Sequence, residues 1–200
     1  MLEMMLMAKM QIPPPDIRGE QVFTSSGTWV CPEGVTSVCF VIIAPGVSGR
    51  YTGSSATGGA GGGLRYRNSV PVIPGQSYSI SIGGAGGQVS AFGTMVGSGN
   101  TGTGPYTSGF AGSSGSNVNS QGTVLGVSGK SGGYTKLQGN NYMTQQVGAD
   151  LYGQEGVFNG YGSGGYGSKN GSGGGTAQAA RPGACRIMWG RYRSFPSAAA

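Results

Sequence analysis

Asp150 and Glu155 are the one close pair of carboxylates in the long middle of the chain, and glycoside hydrolysis needs two carboxylates facing each other across a sugar. In so glycine-rich a stretch they read instead as a solvated turn, or as partners of Lys130, Lys136 or Lys169. The other acids are Glu3, Asp16, Glu20 and Glu33, all near the N-terminal end. Histidine is absent, which removes the commonest general base, the usual metal ligand and the ordinary activator of a serine. Three motif lookalikes fail on context. Gly126 to Ser131 ends like a phosphate loop, but Val124 stands where its first glycine belongs, and Gly132-Gly133 follow where a helix is required. Gly129-Lys130-Ser131-Gly132-Gly133 has the spacing of a nucleophile elbow without a histidine to serve it. Gly160-Tyr161-Gly162-Ser163-Gly164-Gly165 has dinucleotide-loop spacing but opens no helix. No catalytic residue, cofactor or metal site is expected, and the chain is not expected to be an enzyme.

What remains is recognition chemistry. Tyrosine set among glycine and serine offers a flat apolar face and a hydroxyl at low entropic cost. Most such rings are expected to plug gaps between glycine-rich segments; Tyr134, Tyr142, Tyr161 and Tyr166 are the candidate receptor contacts. Cys31, Cys39 and Cys185 form no CxxC pair and no even set, so neither a disulfide framework nor a zinc site is indicated. They are expected to be buried thiols, which suits assembly in a reducing cytoplasm. No arginine occurs between Arg67 and Arg181, so the glycine tract lacks the interleaved cations of an RNA-binding tail, and no nucleic-acid partner is expected. MLEMMLMAKM does not read as a signal peptide, and no apolar run is long enough to insert in a membrane.

The elements that must carry these side chains are β-strands. Glycine accounts for 44 of 200 residues, and charged residues for 9% where about 25% is usual. Yet 36% of residues are hydrophobic and they cluster in short runs, so part of the chain should fold. Strands are predicted at 22–24, 28–31, 35–44, 64–67 and 77–82, punctuated by Ser25-Ser26-Gly27, Pro32-Glu33-Gly34, Pro45-Gly46 and Pro74-Gly75. Tyr78, Ile80 and Ile82 alternate with serines, the clearest period of two in the chain. The run from Val38 to Ile43 suits a central strand covered on both faces. It also offers more apolar surface than one thin sandwich needs, which predicts self-association, as a trimer. A last strand at 184–189 closes the same body. About seven short strands with no intervening helical run predict an all-β, jelly-roll-like β-sandwich.

The domain boundaries follow from composition. Residues 21–97 with 182–190 form the sandwich, 98–181 the glycine-rich tract and 191–200 a C-terminal tail. Between Gly83 and Gly175 lie 30 of the glycines. Each costs roughly 0.5–1 kcal/mol relative to alanine when ordered, so an ordered tract requires close backbone approach, for which packed polyproline-II-like segments are one solution. Residues 1–20 read as a docking arm. Met1, Leu2, Met4, Met5 and Leu6 recur at helical spacing, and Pro13-Pro14-Pro15 then forces an extended path. Methionine suits adaptable docking surfaces.

Three stretches together carry a family resemblance: FTSSGTWVCPEGVTSVCFVIIAPG (23–46), GGAGGGLRYRNSVPVIPGQSYSISIGGAGG with SAFGTMV after it (58–96), and RPGACRIMWGRYRSFPS (181–197). They resemble the glycine-rich domain of phage tail-fibre and related virion proteins. The resemblance implies a strand scaffold with projecting glycine-rich loops, in a tail-fibre or adhesin component that contributes to host-surface attachment. Implied partners are other virion proteins and a bacterial surface protein or glycan, and the implied location is the virion, assembled in the host cytoplasm. The alternative is a capsid decoration or head-fibre protein bound to the capsid surface. Residues 98–181 carry no motif of the family.

Overall fold

The computed structural model describes residues 16–49, 59–97, 151, 160–163 and 179–195 in full, and elsewhere the backbone pairing of short strands. The N-terminal part gives β1 (Gly19–Phe23), β2 (Gly27–Val30), β3 (Ser37–Ile43), β4 (Arg50–Tyr51), β5 (Ala56–Thr57), β6 (Leu64–Pro71), β7 (Ser77–Ile82), β8 (Gln88–Ala91) and β9 (Thr94–Gly97). The tract contributes β10 (Gly102–Thr103), β11 (Ser108–Phe110), β12 (Asn117–Val118), β13 (Tyr134–Gln138), β14 (Asn141–Gln145), β15 (Val147–Ala149), β16 (Glu155–Phe158), β17 (Gly167–Asn170) and β18 (Gly175–Ala177). β19 (Ala184–Trp189) comes last. The chain is all-β, with no helix among the described residues.

Two five-stranded antiparallel sheets form the body, in the orders β1-β19-β3-β6-β11 and β10-β9-β8-β7-β2. Their turns follow from residue type. Pro74-Gly75 makes the β6–β7 turn, with Gly75 at φ 76 and the Gln76 amide donating to Ile73 O at 3.1 Å. The β8–β9 hairpin turns on Phe92 and Gly93, with φ of 48° and 72°. Such a two-residue turn needs positive φ at both positions and ordinarily takes asparagine first. Phe92 is held there by packing, its ring centroid 5.1 Å from that of Phe40, 5.2 Å from Tyr78 and 5.8 Å from Trp29.

Alternation assigns the two faces of β3. Val38, Phe40 and Ile42 join Ile80, Val89, Val96 and Ile187 in the core between the sheets. Cys39, Val41 and Ile43 face the other way, with Leu64 and Met188. That second face is covered by the chain itself: Phe195 is buried on it, and Tyr66, Leu151 and Tyr161 pack against it. The continuous apolar run therefore does mark a strand covered on both faces. The covering residues come from the neighbouring strand β6, the tract and the C-terminal segment. Within the C-terminal segment Phe195 is also fixed by its backbone: its amide donates to Asn68 Oδ1 (2.9 Å) and its carbonyl accepts from Asn68 Nδ2 (3.0 Å). An asparagine amide can mimic a strand neighbour in this way, and the bulge at Ser69, at φ 56, accompanies it.

Trp29 is the centre of the inter-sheet core, within 5.7 Å of the Tyr78 and Trp189 rings, centroid to centroid. Its Nε1 is buried and finds no acceptor among the described residues. Packing rather than hydrogen bonding is thus its contribution. Trp29→Ala is expected to cost about 3–5 kcal/mol, and Trp29→Phe, which keeps a ring and loses no hydrogen bond, markedly less. Urea unfolding of both variants checks this, and equal losses would contradict it.

The tract pairs where it is described. β13-β14-β17-β18 form a four-stranded antiparallel sheet, β15-β16 a two-stranded one and β12-β5-β4 a three-stranded one, while β10 and β11 extend the two main sheets. Polyproline-II segments have no internal ladder. The packed polyproline arrangement expected for the tract thus has no counterpart in these strands, whose amides and carbonyls are satisfied by neighbours instead.

Candidate binding surface and its two anchoring ends

Strand direction gives the body two distinct ends. β3 runs from Ser37 to Ile43, and antiparallel pairing puts Leu64 and Ala184 opposite Ile43. This end is where four chain segments meet, 44–47, 59–63, 160–163 and 181–183, joined backbone to backbone. Ala44 N donates to Gly63 O (2.9 Å), Gly62 N to Gly162 O (2.7 Å), Gly162 N to Pro182 O (2.9 Å) and Arg181 N to Ser163 O (2.9 Å). Glycine is required by proximity: a Cβ on Gly62 would lie 1.8 Å from Ala44 O, and one on Gly162, at φ 70, 2.4 Å from the same atom. Of the tract, Gly162 makes such a close backbone approach. The junction holds residues 160–163, so the tract's return is tied to the body beside the Leu64 end of β6.

At the opposite end lie Asp16, the start of β1, the end of β19 and the C-terminal segment. Glu20 of β1 accepts a hydrogen bond from Arg186 Nη2 and one of 3.2 Å from Arg193 Nη1, while Arg186 Nη1 donates to Leu151 O at 3.3 Å. Arg186 is 7% exposed and Glu20 45%. This latch fastens β1, β19, the C-terminal segment and the tract to one another. The Arg186 hydrogen bond holds the Glu20 carboxyl below its ordinary value against a smaller desolvation effect. Because the folded value is depressed, the contribution is present above the usual glutamate range and is lost as pH falls through the folded value. At so exposed a carboxylate it is worth about 0.5–1 kcal/mol after screening. Wild type should therefore lose its thermal-stability advantage over Glu20→Gln as pH falls from neutral to acid, and a pH-independent difference would refute the linkage.

The candidate receptor tyrosines are dispersed. Tyr134 and Tyr142 lie on β13 and β14, where the register pairs Tyr134 with Gln145 and Tyr142 with Leu137 and Lys169. Tyr142 and Gln145 are an odd number of residues apart, so Tyr134 and Tyr142 belong to opposite faces of that sheet. Tyr161 packs, half-buried, against the outer core cluster beside the glycine junction. Tyr166 lies outside the described residues, as do Met1, Leu2, Met4, Met5 and Leu6 of the docking arm. Asp150 and Lys130 fall outside them too, and Glu155 and Lys136 are strand positions.

Among the described residues no three His, Cys, Asp or Glu come together as a metal site, and no helix is long and apolar enough to cross a membrane. Cys31, Cys39 and Cys185 are buried free thiols. Burial raises all three above the ordinary thiol range, Cys185 furthest, which keeps them protonated and poor nucleophiles. The Cys31 thiol lies 3.2 Å from Val35 O and the Cys39 thiol 3.2 Å from Arg193 O, so both serve the local packing. Sequence reasoning missed the Glu20–Arg186–Arg193 latch, whose only sequence signal was a cation in the otherwise apolar run of β19. No family model matches the chain, and no curated protein matches it.

Proposed function

We propose that this chain is a non-enzymatic structural protein of a tailed bacteriophage particle, a tail-fibre or adhesin component that fixes itself at one end and presents its glycine-rich tract to a host surface. The observation that supports the reading is the two-ended layout. The described N-terminal entry and the C-terminal segment share one end of the body, residues 160–163 of the tract are held by the glycine junction at the other, and Leu151 of the tract is held by Arg186 of β19. A rigid body that fixes a long insertion at more than one point suits display. The three stretches that resemble the phage glycine-rich domain supply the virion context, and in this reading the two packed sheets are its jelly-roll-like scaffold. Partners are other virion proteins and a bacterial surface protein or glycan.

Imaging of whole particles tests the proposal. A few copies at the tail tip are the expected result. Copies repeated over the capsid lattice would replace the adhesin reading with capsid decoration, and absence from particles would end both.

A further inference from the structure

The body has one side on which neither main sheet is closed. β1 ends the order β1-β19-β3-β6-β11 and β2 ends the order β10-β9-β8-β7-β2, and only residues 24–26 separate the two strands in the chain, so their open edges lie side by side. A Cβ on Gly27 would lie 3.2 Å from the Phe23 ring, which sets the start of β2 level with the end of β1. The two edges therefore run in opposite directions.

The alternation of hydrogen bonds tells which main-chain groups these edges leave over. Ala44 N donates to Gly63 O in continuation of the β3–β6 register, so Phe40 and Ile42 turn their main-chain groups to β6, and Val41 and Ile43 turn theirs to β19. Carried across β19, this assigns Gly19, Gln21 and Phe23 to the ladder with β19 and leaves the amides and carbonyls of Glu20 and Val22 pointing out of the sheet. Cys31 N donates to Gln76 O in continuation of the β2–β7 register, which leaves those of Thr28 and Val30 pointing out in the same way. All four residues are exposed, Val22 by 42% and Val30 by 57%. Neither strand has the proline, lysine or bulge that ordinarily blunts an edge, and the charge of Glu20 is turned back to Arg186 and Arg193.

We infer that this side is an interface between two copies of the chain, related by a two-fold axis parallel to the strands. Rotation about that axis sets β1 of one copy beside β2 of the other, antiparallel and at the same level. Val22 and Thr28 lie equally far from Ser25, the middle of the connection, as do Glu20 and Val30. Val22 thus meets Thr28 of the second copy, and Glu20 meets its Val30. Each pair exchanges two hydrogen bonds and the axis repeats both pairs, so every outward main-chain group of the four residues is satisfied. A single extended peptide fills one edge, whereas a second copy fills both at once. Glutamate faces valine rather than a second glutamate, so no like charges oppose each other. Both bodies keep the same direction, with their glycine junctions at one end. The inference goes beyond the proposed function and does not depend on it.

Sedimentation equilibrium of the full chain is expected to give a two-copy mass that falls to one copy on dilution. Val22→Pro removes an outward amide and no ladder bond, a placement that edge strands tolerate. It should raise the dissociation constant at least about tenfold, since a hydrogen bond is lost at both joins, and keep the wild-type thermal midpoint at dilutions where both are monomeric. Crosslinking reads the register, because facing residues of a hydrogen-bonded antiparallel pair lie about 5.5 Å apart, within disulfide reach. Under mild oxidation a mixture of the Val22→Cys and Thr28→Cys variants should crosslink while neither does so alone; the three native thiols are buried. The mixture decides the matter even where the proline variant fails to fold. A chain that stays monomeric, a three-copy mass, a folded proline variant that pairs as well as wild type, or a mixture that crosslinks no better than its components would overturn the inference.

Discussion

Gly62→Val is expected to abolish the folded state. The side chain would begin 1.8 Å from Ala44 O, a main-chain atom in the segment that directly continues β3, and it cannot move aside as a flexible side chain could. Relief requires shifting either β3 or the 59–63 segment, and with them the bonds from Ala44 N to Gly63 O and from Gly62 N to Gly162 O. Losses above about 4 kcal/mol come from few mechanisms, and a forced backbone displacement in the core is one. Against a total stability of about 5–15 kcal/mol, this leaves little. Gly75→Ala is the control: it too has positive φ, but a Cβ there meets nothing within 4 Å, so its cost should be about 1–2 kcal/mol. Soluble yield and denaturant midpoints measure the contrast, and equal stability of the two variants would show that the junction yields.

The second large effect concerns attachment. Combined replacement of Tyr134, Tyr142 and Tyr166 by serine is expected to reduce adsorption to host cells by orders of magnitude while particles assemble normally. Central interface aromatics each contribute about 2 kcal/mol or more, and each 1.4 kcal/mol is tenfold in affinity. The register refines the expectation. Since Tyr134 and Tyr142 occupy opposite faces of the four-stranded sheet, a receptor on one face should make one single replacement costly and leave the other silent. Tyr161 belongs to a separate experiment, because it packs on the outer core cluster and its loss should lower stability first. Adsorption must be read on particles confirmed to contain the altered chain. Normal adsorption by the triple variant would remove the main support for the adhesin reading.

The body was legible in the sequence because its signals are local. The serine alternation marks β7, and Ile80 points inward as the period requires. Pro74-Gly75 and Pro32-Glu33-Gly34 place turns where turns occur. The β8–β9 hairpin was harder to see, because phenylalanine fills a position that usually takes asparagine and only the surrounding rings explain it. The covering of the second face was invisible for a different reason. Leu151, Tyr161 and Phe195 come from segments without periodicity, and nothing local says that a residue so distant in the chain will dock on β3. The same holds for Arg186, whose partners Glu20 and Leu151 lie 166 and 35 residues away.

The two-ended layout has a mechanical consequence. When one end is held and the other pulled, tension runs parallel to β1, β19, β3 and β6, so the ladder bonds between them are loaded together in shear rather than peeled apart in turn. Survival under such pulling depends on the rate of forced unfolding rather than on equilibrium stability. Under the proposed function, such a body would carry drag on the tract through the main sheet to the other end.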